Sequence, residues 1–77
     1  MKPKHPAYSP RRRAVRTAGR NISVSLEDAF WNALREIAVS KNTSRQKLVE
    51  MIDKKRRGHP NLSSTIRIFV LDYYCGL

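Results

Sequence analysis

The chain has 77 residues, a hydrophobic fraction of 40% and a single cysteine, Cys75. A chain of this size is one domain at most and buries too little apolar surface to be comfortable alone; one cysteine excludes an internal disulfide, and with two distant histidines it offers no zinc-ligand spacing. Sixteen Lys and Arg against six Asp and Glu give a net charge of +10, which implies a polyanionic partner: nucleic acid before membrane, because the basic segment has almost no apolar face to bury in lipid.

Residues 1–19 read as a flexible basic arm. Residues 1–20 hold seven basic side chains and no acidic one, and Pro3, Pro6, Pro10 and Gly19 interrupt them; like charges repel along such a segment. No apolar stretch follows the N-terminal charge, and every apolar run falls short of the roughly 20 residues that span a bilayer, so a cytoplasmic protein is expected. Residues 20–77 form the folded domain. At its start Ile22, Val24 and Leu26 alternate with Asn21, Ser23 and Ser25, the period of a strand with one buried face. The strand is about six residues long and needs a partner. No other segment reads as a strand, so the partner is expected from a second protomer.

A helix follows, with Ser25 as its cap, Asp28 three residues later, and an apolar stripe of Leu26, Phe30, Ala33, Leu34 and Ile37 with Trp31 and Ala38 on its shoulder. A second helix starts at Thr43 or Ser44, turns Leu48, Val49, Met51 and Ile52 inward, and stops at Lys54–Arg57 before Gly58 and Pro60. A third runs from near Ser63 to Cys75 and ends at Gly76. Ile66, Ile68, Phe69, Val70, Leu71, Tyr73 and Tyr74 place apolar groups almost all round it, so it requires cover that one protomer can hardly supply.

The run Asn21-Ile22-Ser23-Val24-Ser25-Leu26-Glu27 into Phe30-Trp31-Asn32-Ala33-Leu34, followed by Thr43-Ser44-Arg45 opening the next helix, resembles the ribbon-helix-helix family of bacterial regulators. The match covers roughly residues 20–57, and the third helix makes the chain a longer variant. The resemblance implies a mostly α fold with one short β-strand, an intertwined homodimer, and an intermolecular two-stranded antiparallel ribbon inserted into the major groove of double-stranded DNA. Asn21 and Ser23 would face base edges, with Arg20 and Ser25 as further candidates, although Ser25 suits a helix cap better. Thr43, Ser44 and Arg45 would hold a phosphate at a helix N-terminus. Leu62-Ser63-Ser64 resembles the same element, which leaves open whether residues 44–57 or 63–75 form the anchoring helix. Arg11, Arg12, Arg13 and Arg16 of the arm would follow phosphates or enter a minor groove. The dimer core would comprise Ile22, Val24, Leu26, Phe30, Leu34, Ile37, Leu48, Ile52, Ile66, Phe69, Val70 and Tyr73. The family often projects Arg or Lys from its strand, whereas the outward positions here are uncharged, a departure that shifts weight toward phosphate contacts.

A DNA-binding transcriptional regulator, acting as a repressor, is therefore the leading expectation, with dimers that could assemble further on DNA. An antitoxin that binds a partner toxin and a non-specific architectural DNA-binding protein are the alternatives. No cofactor or metal is expected, and the absence of paired carboxylates, a phosphate-cradling glycine loop or a Cys–His arrangement speaks against an enzyme.

Overall fold

The computed structural model describes residues 9–55 and 61–76. Its elements are β1 (Pro10–Thr17), β2 (Arg20–Glu27), α1 (Asp28–Ser40), α2 (Arg45–Lys55) and α3 (Leu62–Cys75). The two strands form an antiparallel hairpin in register Arg12 with Ser25, Ala14 with Ser23 and Arg16 with Asn21. Thus much of the expected arm is a strand, and the second strand missing from the sequence reading lies within the same chain. Residues 1–8 of that arm are outside the described residues.

The hairpin is closed by Ala18 and Gly19, both at positive φ (54° and 74°). A two-residue loop with left-handed backbone at both positions matches the right-handed twist of paired strands. Glycine adopts that conformation freely; alanine does so at some cost. β1 escapes a hydrophobicity reading because its inward side is Arg13, Val15 and Thr17. Val15 and Thr17 are buried, and Thr17 Oγ1 donates to Asp53 Oδ2 of α2 at 2.7 Å. Arg13 is inward and partly satisfied: one of its terminal nitrogens bonds Asp28 and reaches the Leu26 carbonyl at 3.4 Å and its guanidinium lies over Trp31, while its buried Nε has no hydrogen-bond partner.

β2 is longer than expected and extends through Glu27. Ser25 therefore does not cap α1. The residue before that helix is Glu27, extended and without a side-chain cap bond; the carboxylate of Asp28 in the first turn faces Arg13 and Arg11 instead. The C-terminus of α1 is tightly specified. Asn42 takes φ 56°, its N–H bonds the Val39 carbonyl at 3.1 Å, and the Thr43 N–H bonds the Ala38 carbonyl at 2.9 Å, the paired closure of a Schellman motif. Ser44 caps α2 by accepting from the Lys47 N–H at 3.1 Å. Of the two starts expected, Ser44 is the cap, and the Gln46 side chain is turned to β1. Asn61 caps α3 through the Ser64 N–H at 3.2 Å, and Gly76 at φ 71° ends it.

Leu26, Leu34, Ile37, Leu48, Val49 and Ile66 are fully buried and form the centre, with Val15, Val24, Ala38, Ile52, Leu62 and Val70 around them. Of the twelve residues expected in a dimer core, Val24, Leu26, Leu34, Ile37, Leu48, Ile52, Ile66 and Val70 are already buried inside one protomer, while Ile22, Phe30 and Phe69 are half-buried and Tyr73 is exposed. The expectation that α3 is apolar beyond what one chain can cover holds. Its Ile66 side is buried, but Ile68 and Leu71 stay 53% and 51% exposed, and Tyr74 is exposed as well.

Candidate nucleic-acid interface

Successive side chains of a strand point to opposite faces. With Val15, Thr17, Val24 and Leu26 turned to the core, the other face of the hairpin carries Arg12, Ala14 and Arg16 from β1 and Asn21, Ser23 and Ser25 from β2, all exposed. Two arginines thus stand across from Ser25 and Asn21 on a polar face; the acidic Glu27, which shares that parity at the open end of β2, is bonded to Arg67. The outward strand positions that looked uncharged from β2 alone gain their cations from β1. Arg12 and Arg16 are four residues apart, about 13 Å along a strand at roughly 3.3 Å per residue.

The other arginines have different placements. Arg13 lies under the ribbon, where its side chain is 13% exposed, which removes it from the expected phosphate contacts. Its burial is matched by the Asp28 carboxylate and the Trp31 ring. Arg11 is 3.6 Å from Asp28, so its charge is partly countered. Arg20 is exposed beside the turn, paired with Thr17, and has the inward parity of its strand.

Arg45 is also turned to the protein. Its Nε donates to the Trp31 carbonyl at 3.2 Å, and its guanidinium sits 4.2 Å from the centre of the Trp31 ring. Burial, then the nearby charges of Arg35 and Arg13, holds its pKa below the ordinary arginine value. Trp31 is therefore a half-buried plate that both Arg13 and Arg45 contact, not a platform for a base. Thr43 is half-buried and its N–H is used in closing α1, while the Ser44 hydroxyl serves its own helix. The start of α2 nonetheless lies at the ribbon, since Gln46 bonds the backbone of Arg16.

The start of α3 lies at the other edge. Ser63 Oγ accepts from the Ser25 N–H at 3.0 Å, and Arg67 donates to the Ser25 carbonyl at 3.0 Å and to Glu27 Oε1 at 2.9 Å. That hydrogen bond from Arg67 holds the Glu27 carboxyl below its ordinary pKa. Both segments that competed as the anchoring helix thus begin beside the ribbon, on opposite edges. Sequence reasoning missed Gln46, Ser63 and Arg67 as ribbon neighbours. Nothing local announces them, because their partners are 30 to 42 residues away in the chain.

Among the described residues, no group of three or more His, Cys, Asp and Glu is placed to hold a metal, and no helix is long and apolar enough to cross a membrane. The family model described as "Ribbon-helix-helix domain" matches residues 10–74. The chain belongs to the ribbon-helix-helix family. That family is one of DNA-binding regulators with a non-enzymatic fold, and its match here takes in β1, beyond the stretch on which the resemblance rested. Among solved structures, an uncharacterized protein from Bordetella pertussis Tohama I is similar at 32% identity with a TM-score of 0.77; the alignment covers 90% of this chain and 58% of that one. This chain thus spans less than two thirds of that protein's length. No curated protein matches.

Proposed function

We propose that this ribbon-helix-helix protein is a dimeric transcriptional regulator, a repressor, that lays the outward face of its hairpin in the major groove of double-stranded DNA. The observation that carries this reading is the face itself: Arg12 and Arg16 exposed beside Asn21 and Ser23, on a ribbon whose reverse side is packed into the core. A two-stranded ribbon fits the major groove, where Arg pairs bidentately with guanine and Asn with adenine. The rigid backing suits base contact, since a reading group must be held in place as well as charged. Repression requires no effector domain: a bound protein occludes a promoter by occupying it.

Dimerisation is supported by the uncovered side of α3. Ser64, Ile68, Leu71 and Cys75 are exposed and recur at spacings of four, three and four, the stripe along which one helix packs on another. A second copy of the chain is the natural cover for that stripe in a protein this small.

The test is selection of bound duplexes from a random-sequence pool at near-physiological salt. An enriched inverted repeat is expected, with Arg12→Ala and Arg16→Ala relaxing the preference at defined positions. Tight but sequence-blind binding that collapses steeply with salt would favour an architectural role, and absence of binding would refute the DNA reading.

A further inference from the structure

Arg16 stands at the turn end of β1, and a group that reads a base is useful only if it is held to within about 0.5 Å. The hairpin ladder does not hold it there by itself. Thr17 pairs with Arg20 across the Ala18–Gly19 loop, and in an antiparallel pair the next residue turns both backbone groups away from its partner strand. The N–H and carbonyl of Arg16 therefore leave the ladder instead of joining it.

One side chain meets them both. The Gln46 carboxamide accepts from the Arg16 N–H at 3.4 Å and donates to the Arg16 carbonyl. A carboxamide carries an acceptor and a donor side by side, as a peptide does, and so serves both groups at once. Its own orientation is set from the far side, where Nε2 also donates to Glu50 Oε1, one helical turn on, at 3.2 Å. The helix is rooted in the core by Leu48, Val49 and Ile52. The neighbour of Arg16 is tied to the same helix, through Thr17 Oγ1 and Asp53 Oδ2 at 2.7 Å. Gln46, Val49, Glu50 and Asp53 share one helical face by their spacing, and the end of β1 rests on it. Arg12, four residues back, is about 13 Å from this clamp along the strand.

We propose that Gln46 is a positioning residue for base recognition: by holding the Arg16 peptide it aims the Arg16 side chain, and so sets the preference at the base position that Arg16 reads. The proposal rests on the DNA-binding reading above. It gives α2 a part in specificity that is separate from any hold of its N-terminus on phosphate. Loss of a phosphate contact weakens binding to all sequences alike, whereas loss of aim weakens only the sequences that the aimed group favours.

Gln46 is exposed, and Gln46→Met keeps its length while removing both hydrogen bonds. The Thr17–Asp53 bond and the buried Val15 and Val49 keep the hairpin docked in that variant. Binding to selected duplexes altered one position at a time gives the preference at each position. A bidentate arginine–guanine pair discriminates by roughly 5- to 150-fold. Gln46→Met is expected to remove most of that at the position relaxed by Arg16→Ala, and to leave the position relaxed by Arg12→Ala unchanged within about twofold. In an Arg16→Ala background the same substitution should alter no preference, since nothing is left to aim. Equal loss at the Arg12 and Arg16 positions, or a loss that persists without Arg16, would mean a structural or phosphate role and overturn the proposal, as would an unchanged profile. The unaltered protein gives a check that needs no variant: the Gln46 carboxamide protons should show a nuclear Overhauser contact to the Arg16 N–H, and its absence would remove the clamp. Failure of the unaltered protein to bind any duplex would remove the DNA reading and the proposal with it, a result distinct from normal binding with an unmoved profile.

Discussion

Arg12, Arg13 and Arg16 share one strand and one formal charge but not one environment. Parity puts Arg13 under the ribbon and the other two on top. Arg13→Ala removes a charged hydrogen-bond donor and leaves the Asp28 side of that contact weakened; a loss of about 1–3 kcal/mol in urea unfolding is expected. Arg16→Ala removes an exposed side chain and should change stability by less than about 0.5 kcal/mol, yet cost about 1–3 kcal/mol of discrimination at one base position in a binding assay. If both variants lost the same stability, the assignment of faces would be wrong. Ala18 is a different case, since its cost is in the backbone. Asparagine tolerates the left-handed conformation and Asn-Gly is the favoured two-residue loop. Ala18→Asn should therefore raise stability by about 1 kcal/mol, visible as a higher melting temperature.

At the scale of elements, the contact between the end of β2 and α3 responds to pH. The Arg67 hydrogen bond lowers the Glu27 pKa in the folded state, so the carboxylate stabilises the fold above its unfolded-state pKa and that contribution is lost as pH falls through the lowered value. Unfolding measured over a series of pH values should show an acid-side decline that Glu27→Gln makes shallower. The elements also show how far the sequence was legible. β2, all three helices and the stop at Gly76 could be read because their patterns are local: alternation, helical periodicity and turn residues. β1 could not be read from alternation, since an inward arginine carries the same polar label as an outward one. Its one sequence signal is Ala18-Gly19 placed two residues wide before a clear strand, and alanine at the first position weakens that signal. Half of the candidate reading face was therefore visible as Asn21 and Ser23. The other half was visible only as charge, with Arg12 and Arg16 grouped beside Arg13 until the register separated them.

For the whole molecule, the proposed dimer rests on the uncovered stripe of α3. Ile68→Asp with Leu71→Asp places two charges on that stripe while leaving Ile66 and Val70 in the core, so sedimentation should show a shift toward monomer with little loss of helical circular dichroism. Loss of helix along with the shift would mean that these side chains support the protomer as well. The side-chain bonds from α2 and α3 to the hairpin bear on how the chain comes to be folded. A hairpin forms in microseconds but is marginal by itself, and the Ser25 edge is capped by two residues of α3, Ser63 and Arg67. During synthesis the strands therefore wait with an open edge until the start of α3, 38 residues beyond Ser25, has emerged. An unfinished or truncated product presents to its neighbours the kind of unpaired strand on which aggregation begins.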